Sequence, residues 1–305
     1  MERLEERLMR PLNIALVGLG VIGGSFAKGL RAQNVIHVNL LGIDTNAATI
    51  QRALDERIIT QGETSNESIL QQADVVIISL YPDDLVDFIQ THQDAFKKGA
   101  IITDTVGVKG SLIQQVEAIL RPDVDYIFGH PMAGRENQGY EYAEAGVFHG
   151  ANYLLMPRPR NQQANIDKLE LILDAIGFRR ITHVTPEFHD EMIAYTSQLC
   201  HVLAVALMNS DRHDRDTASF VGDSFRELTR IAKINDELWA QLFLYNKESL
   251  LESMAAFETE WQAMKQAIQT SNSQDLKEMF RESTKRRSSL EQTDLKLNIA
   301  RNVAP

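Results

Sequence analysis

Between residues 13 and 184 the chain alternates between two spacings of apolar residues. Short, nearly unbroken apolar runs lie at 14–17, 40–43, 74–80, 100–104, 126–129, 153–156 and 181–184. Runs of this length without polar interruption fit strands covered on both faces of a parallel sheet. Between them stand segments with helical periodicity, such as one opened by Pro82 and Asp83, one from about 109 to 120 stopped by Pro122, and one from 166 to 176 ended by Gly177. Repeated strand and helix units with short connections predict a doubly wound α/β sheet, whose ligands sit at the carboxyl ends of the strands. From Pro186 onward nearly all of the sequence reads as helix. Leu250, Met254, Phe257, Trp261, Met264 and Ile268 step by four and three in turn, a heptad seam that asks for a partner helix within the domain or from a second subunit.

The first strand leads into Gly18-Leu19-Gly20-Val21-Ile22-Gly23, and a helical segment through Phe26, Ala27 and Leu30 follows. Gly18 permits the tight turn, Gly20 lets the backbone approach a diphosphate, and Gly23 lets helix and strand pack closely. The helix start, with Val21 and Ile22, turns its N–H groups toward an anion. The second strand ends at Asp44, where an acid accepts hydrogen bonds from an adenine ribose and repels a 2′-phosphate. Together these predict a Rossmann-type domain over residues 1–185 that binds NAD rather than NADP, followed by an all-helical substrate-binding and dimerisation domain over 186–305. Topology adds Ser79, Pro82 and Asp104 to the cofactor crevice.

Composition narrows the function classes. Of 305 residues, 44% are hydrophobic and 24% charged, which suits two ordinary globular domains. A net charge of −11 argues against nucleic acid or an anionic membrane surface as partner, so an anionic substrate needs a local cluster of cations. The single cysteine, Cys200, excludes an intrachain disulfide and a thiolate metal cage, and reads as a small buried apolar residue; no metal is expected. No signal-peptide pattern and no apolar run long enough for a bilayer are read, and both point to the cytoplasm.

Gly129-His130-Pro131-Met132-Ala133-Gly134-Arg135-Glu136 follows a strand of the cofactor domain, and a histidine there is suited to taking a proton near neutral pH. With His189-Asp190, Ser197-Gln198-Leu199-Cys200-His201, and Phe225-Arg226-Glu227-Leu228-Thr229-Arg230-Ile231-Ala232 before Trp239 and Asn246, this loop resembles the prephenate/arogenate dehydrogenase family of tyrosine biosynthesis. The resemblance runs in order from the glycine turn to Asn246. It implies oxidative decarboxylation of prephenate: hydride leaves the hydroxyl-bearing ring carbon for NAD⁺, a base takes the hydroxyl proton, and loss of CO₂ makes the ring aromatic, giving 4-hydroxyphenylpyruvate. His130 matches the base and Arg230 the arginine that holds a substrate carboxylate, for which a planar fork is well suited. His189 and His201 match histidines that shape the substrate pocket, although packing alone accounts equally well for His189. Glu136 matches an acid near the site, and Arg135 stands where relatives often carry a small hydroxyl residue, as a substrate-binding cation or a partner for Glu136.

Two further departures matter. Gly107 occupies the place of a serine that assists the histidine, so that contact must be absent or supplied elsewhere. Gln198 and Cys200 replace two members of the S-H-L-P-H pattern. Arogenate dehydrogenase on the same scaffold is the nearest alternative. Beyond it stand 3-hydroxyacid dehydrogenase or pyrroline carboxylate reductase chemistry, and a nucleotide-sensing protein without catalysis. A homodimer through the helical part is expected.

Overall fold

The computed structural model describes residues 11–32, 37–65, 67–134, 137–212 and 214–299. Eight strands form one sheet: β1 (Leu12–Val17), β2 (Val38–Ile43), β3 (Gln61–Glu63), β4 (Val75–Ile78), β5 (Ile101–Asp104), β6 (Asp125–Pro131), β7 (Asn152–Met156) and β8 (Arg180–His183). Their order is β3-β2-β1-β4-β5-β6-β7-β8, which runs outward in both directions from β1 and makes the sheet doubly wound. All neighbours pair in parallel except β6 and β7, which are antiparallel, with His130 opposite Leu154.

The unbroken apolar runs follow from this placement. In β1, Leu12, Ile14 and Leu16 enter the core on one face of the sheet while Ala15 and Val17 enter the core on the other, and only Asn13 is left partly exposed. Val75 and Ile77 divide from Val76 and Ile78 in the same way along β4. Such a sheet has its polar and functional groups at the strand ends.

The helical segments after β8 are fastened to that end. Thr185 caps the helix Pro186–Ile193 by accepting the Phe188 N–H, with Pro186 at its first turn. One wide turn, the π-helix Ala194–Gln198, joins it to the helix Leu199–Asn209. The helix Asp236–Tyr245 docks beside the helix Pro82–His92: Tyr245 donates to Asp83 Oδ1 at 2.6 Å, Gln241 Oε1 accepts the Asp83 N–H at 3.1 Å, and Asn235 Nδ2 donates to the Tyr81 hydroxyl at 2.6 Å.

Two readings are corrected. The 24-residue segment Pro186–Asn209 contains an 18-residue stretch with a mean hydropathy of 1.3, which by length and composition alone passes for a membrane span, contrary to the expectation that no such stretch exists. Its buried polar residues His189, Asp190 and Gln198 bond to other parts of the protein, which is the behaviour of a packed helix. Cys200 is exposed rather than buried.

The described residues pack as two units, one running to Leu250 and the other from Leu251. The second consists of the greater part of the helix Lys247–Gln269 and the helix Ser273–Ile299. Ser271 takes a left-handed backbone between them, and the Asn272 side chain caps the second helix by accepting the Gln274 and Asp275 N–H groups.

Candidate active site

The glycine turn occupies the carboxyl end of β1. Gly18 has φ +80°, and a Cβ on Gly23 would collide with the Gly18 carbonyl oxygen, so both positions need glycine for backbone reasons. Gly20 differs: a Cβ there would meet nothing within 4 Å, and the residue faces a cavity. Asp44, at the end of β2, ties the turn by accepting the Leu19 N–H at 2.7 Å and the Asn46 N–H at 2.8 Å. Two oxygens that accept one hydrogen bond each keep further acceptor capacity.

The cavity, of about 560 Å³, runs from this turn to the helical segments. Gly20, Val21 and Ile22 line it at one end, with Ser79 and Pro82 from the β4 connection, Gly107 after β5, and His130 on β6. His201, Arg230, Lys233 and Trp239 line it from the helical side. The structure therefore brings His130, Arg230, His201, Ser79 and the glycine turn around one space. Trp239 stacks on His201, with ring centroids 3.6 Å apart and planes 30° apart, which fixes both rings in the wall. The Ser79 hydroxyl is buried and has no hydrogen-bond partner among the described residues. No Asp or Glu stands among the described residues that line the cavity, while Arg230 and Lys233 do.

Five expected site residues among the described ones do not line the cavity. Gly18 and Gly23 shape the turn from behind, and Asp44 stands beside it. Asp104 was expected at the cofactor and is instead fully buried with Lys109: Lys109 Nζ donates to Asp104 Oδ1 at 2.7 Å and to the Val106 carbonyl at 2.6 Å. Burial lowers the Lys109 pKa, and the Asp104 carboxylate opposes that shift. His189, expected at the substrate, lies behind His130, its Nε2 2.8 Å from His130 Nδ1 and its Nδ1 2.7 Å from Asp190 Oδ1. His189 thus meets the His130 ring at Nδ1, whereas Gly107, on the Nε2 side, offers that ring no side chain. Arg135 and Glu136 lie outside the described residues.

Burial, then the neighbouring His189, then the Lys109 ammonium push the pKa of His130 well below the ordinary histidine value. Burial also lowers His189 and outweighs the Asp190 hydrogen bond that favours its charged form. A neutral imidazole beside a cavity is suited to accept a proton. Its Nε2 is the ring atom toward Gly107, 3.5 Å from where a Cβ on that residue would stand.

Gln198, one of the departures, is buried and satisfied: its Nε2 donates to the Leu242 carbonyl and its Oε1 accepts from Asn246, both at 2.8 Å. Asn246 also donates to the Asp190 carbonyl at 2.8 Å. The positions of Lys233 at the cavity and of the Asp190 carboxylate behind His189 were missed, because nothing in their local spacing separates them from surface charges. Asp190 stood in the sequence directly beside His189, and that adjacency was the available signal.

Comparison with known proteins agrees with this geometry. The profile of the prephenate dehydrogenase nucleotide-binding domain matches residues 26–182, and that of the prephenate dehydrogenase dimerization domain matches residues 185–282. A cyclohexadienyl dehydrogenase of Zymomonas mobilis is 29% identical over 286 residues, covering 91% of this chain and 96% of its own. A prephenate dehydrogenase of Bacillus subtilis is 25% identical over 273 residues, 88% of this chain and 73% of the relative. The crystal structure of prephenate dehydrogenase from Aquifex aeolicus, in complex with hydroxyphenyl propionate and NAD⁺, superposes with a TM-score of 0.84 at 28% identity, covering 92% of this chain and 99% of that one. With sheet order, glycine turn and both domain profiles in agreement, the chain belongs to the prephenate dehydrogenase family.

Proposed function

We propose that this protein carries out the NAD-dependent oxidative decarboxylation of prephenate to 4-hydroxyphenylpyruvate, with residues 1–185 serving the nucleotide and 186–305 serving substrate and dimerisation. The observation that carries the substrate choice is the sign of charge around the cavity. Arg230 and Lys233 line it, and no acid does among the described residues. Prephenate brings two carboxylates and a neutral keto group. Arogenate brings an ammonium in place of that keto group, and among the described lining residues that cation meets two cations and no acid.

The residues present fit NAD. Gly20 leaves open space at a helix N-terminus, where backbone N–H groups attract a diphosphate. Asp44 keeps acceptor capacity for a ribose, and the Ser79 hydroxyl lacks a partner at the cavity wall. When bound, NAD⁺ supplies the hydride acceptor. The protein's own work is to bind and orient the ring and to receive one proton. Arg230 holds a carboxylate through its planar fork, Lys233 adds charge, and the stacked His201 and Trp239 wall the ring side. His130 accepts the hydroxyl proton at Nε2, helped by the burial that keeps it neutral beforehand. Loss of CO₂ to an aromatic ring is strongly downhill, so positioning supplies most of the catalysis.

This reading places the protein in the cytoplasm as a homodimer. It is tested by initial rates of NADH formation on prephenate and arogenate, with kcat/KM expected to be at least about tenfold higher on prephenate, a difference of about 1.4 kcal/mol. Equal or better use of arogenate overturns the substrate. NAD binding without turnover of either compound leaves the nucleotide-sensing alternative standing.

A further inference from the structure

His130 borders the cavity, whereas the ring behind it does not. His189 is 1% exposed and is held from both sides, by His130 Nδ1 at 2.8 Å and by Asp190 Oδ1 at 2.7 Å. A carboxylate only accepts, so the hydrogen of the second contact sits on His189 Nδ1. In a neutral ring that makes His189 Nε2 an acceptor, and the hydrogen of the first contact then belongs to His130 Nδ1. His130 Nε2 is left without hydrogen, and it is the nitrogen toward Gly107, which also lines the cavity.

The direction of this chain is set at its far end. Asp190 Oδ1 also accepts the Lys109 N–H at 2.9 Å, and Oδ2 accepts the Gly110 N–H at 2.6 Å, at the start of the helix Gly110–Ile119. Two backbone N–H groups and a helix N-terminus favour the ionised carboxylate and fix its plane. The Lys109 ammonium is engaged by Asp104 and the Val106 carbonyl. Asn246 bonds the Asp190 backbone carbonyl and so holds the helical turn that carries both Asp190 and His189.

We infer that Asp190 and His189 are positioning residues that lock His130 in the Nδ1–H tautomer and thereby present a basic Nε2 to the substrate hydroxyl. The inference rests on the reading of His130 as proton acceptor. During turnover the hydroxyl proton moves to His130 Nε2 and returns from there to the phenolate oxygen once loss of CO₂ has made the ring aromatic; His130 keeps its Nδ1–H, His189 keeps its own, and Asp190 remains a carboxylate throughout. The imidazolium so formed is stabilised through the oriented His189 ring, with no proton passing along the relay.

The test combines a spectrum that needs no substrate with kinetics that do. In the full-length protein labelled with ¹⁵N-histidine, His130 should show hydrogen on Nδ1 and a bare Nε2. In His189→Leu that pattern should be lost, while kcat falls by about 100-fold and KM for substrate stays within about threefold. His189→Gln, whose Oε1 can accept where Nε2 did, should restore kcat to within about tenfold of wild type. A wild-type His130 protonated on Nε2 alone overturns the inference, as does wild-type kcat in His189→Leu. If His189→Leu fails to fold, as judged by circular dichroism and NAD binding, the wild-type spectrum and the glutamine variant decide. A correct tautomer with no turnover of either candidate substrate overturns the proposed reaction instead.

Discussion

At the scale of single residues, the site depends on two histidines kept neutral by burial. Both have folded-state pKa values below the unfolded value of about 6.5, so at lower pH the unfolded chain binds more protons than the native one. Their contribution to stability is complete above about pH 6.5 and is lost as pH falls toward the folded-state values. Each contributes a slope of at most about 1.4 kcal/mol per pH unit within that window. The groups around the pair are Lys109, Asp190 and Asp104, and only Lys109 opposes protonation of His189. Urea unfolding of wild type and His130→Gln between pH 7 and pH 5 should show a steeper loss in wild type; parallel curves would show that His130 is not held neutral by the fold. The sequence made His130 and Arg230 legible because each sits in a distinctive local string. Lys109 and Asp190 were not, since their meaning comes from burial against each other's neighbourhoods, 81 residues apart in the chain. No local spacing encodes such a contact.

At the scale of elements, strand and helix alternation was readable because burial on both sheet faces forces continuous apolar runs. Direction was not readable in the same way: the run at 153–156 says strand, and nothing in it says that β7 opposes β6. Nor did the three residues of β3, all partly exposed, carry an apolar signal. The π-helix Ala194–Gln198 adds a wide turn between His189 and His201, so the two do not keep the register of one regular α-helix. It is one of the irregular turns that recur at functional sites. The glycine turn offers the sharpest test at this scale, because its glycines are needed for different reasons. Gly18→Ala puts a side chain at φ +80° and 2.6 Å from the Ser79 carbonyl oxygen, so it should destabilise the protein outright. Gly20→Ala meets no protein atom within 4 Å and should leave the melting temperature of the cofactor-free protein within about 2 °C of wild type. The same methyl group fills space assigned to the diphosphate, so NAD affinity should fall by about tenfold or more. Calorimetric titration with NAD checks this, and wild-type affinity in Gly20→Ala would move the cofactor elsewhere.

At the scale of the whole molecule, the heptad seam asks for a partner that the described residues do not supply. Met254, Trp261, Met264 and Ile268 are all exposed, with Trp261 at 58% and Ile268 at 61%. Met254, Trp261 and Ile268 recur every seven residues, so they make one stripe along the helix. An apolar stripe of this length on an exposed helix face marks an interaction surface, and a second copy is the partner that always accompanies it. The dimerization-domain profile covers the seam, which agrees with that choice. Sedimentation should therefore find the 34.4 kDa chain as a dimer, with a melting temperature that rises with protein concentration. Replacing Trp261 and Ile268 together by Glu puts two like charges into each facing stripe and should yield monomers at micromolar concentration. NAD binding, which depends on residues of the other unit, should survive in those monomers. A double variant that still sediments as a dimer would assign the seam a different occupant and leave the subunit contact to be sought on another surface.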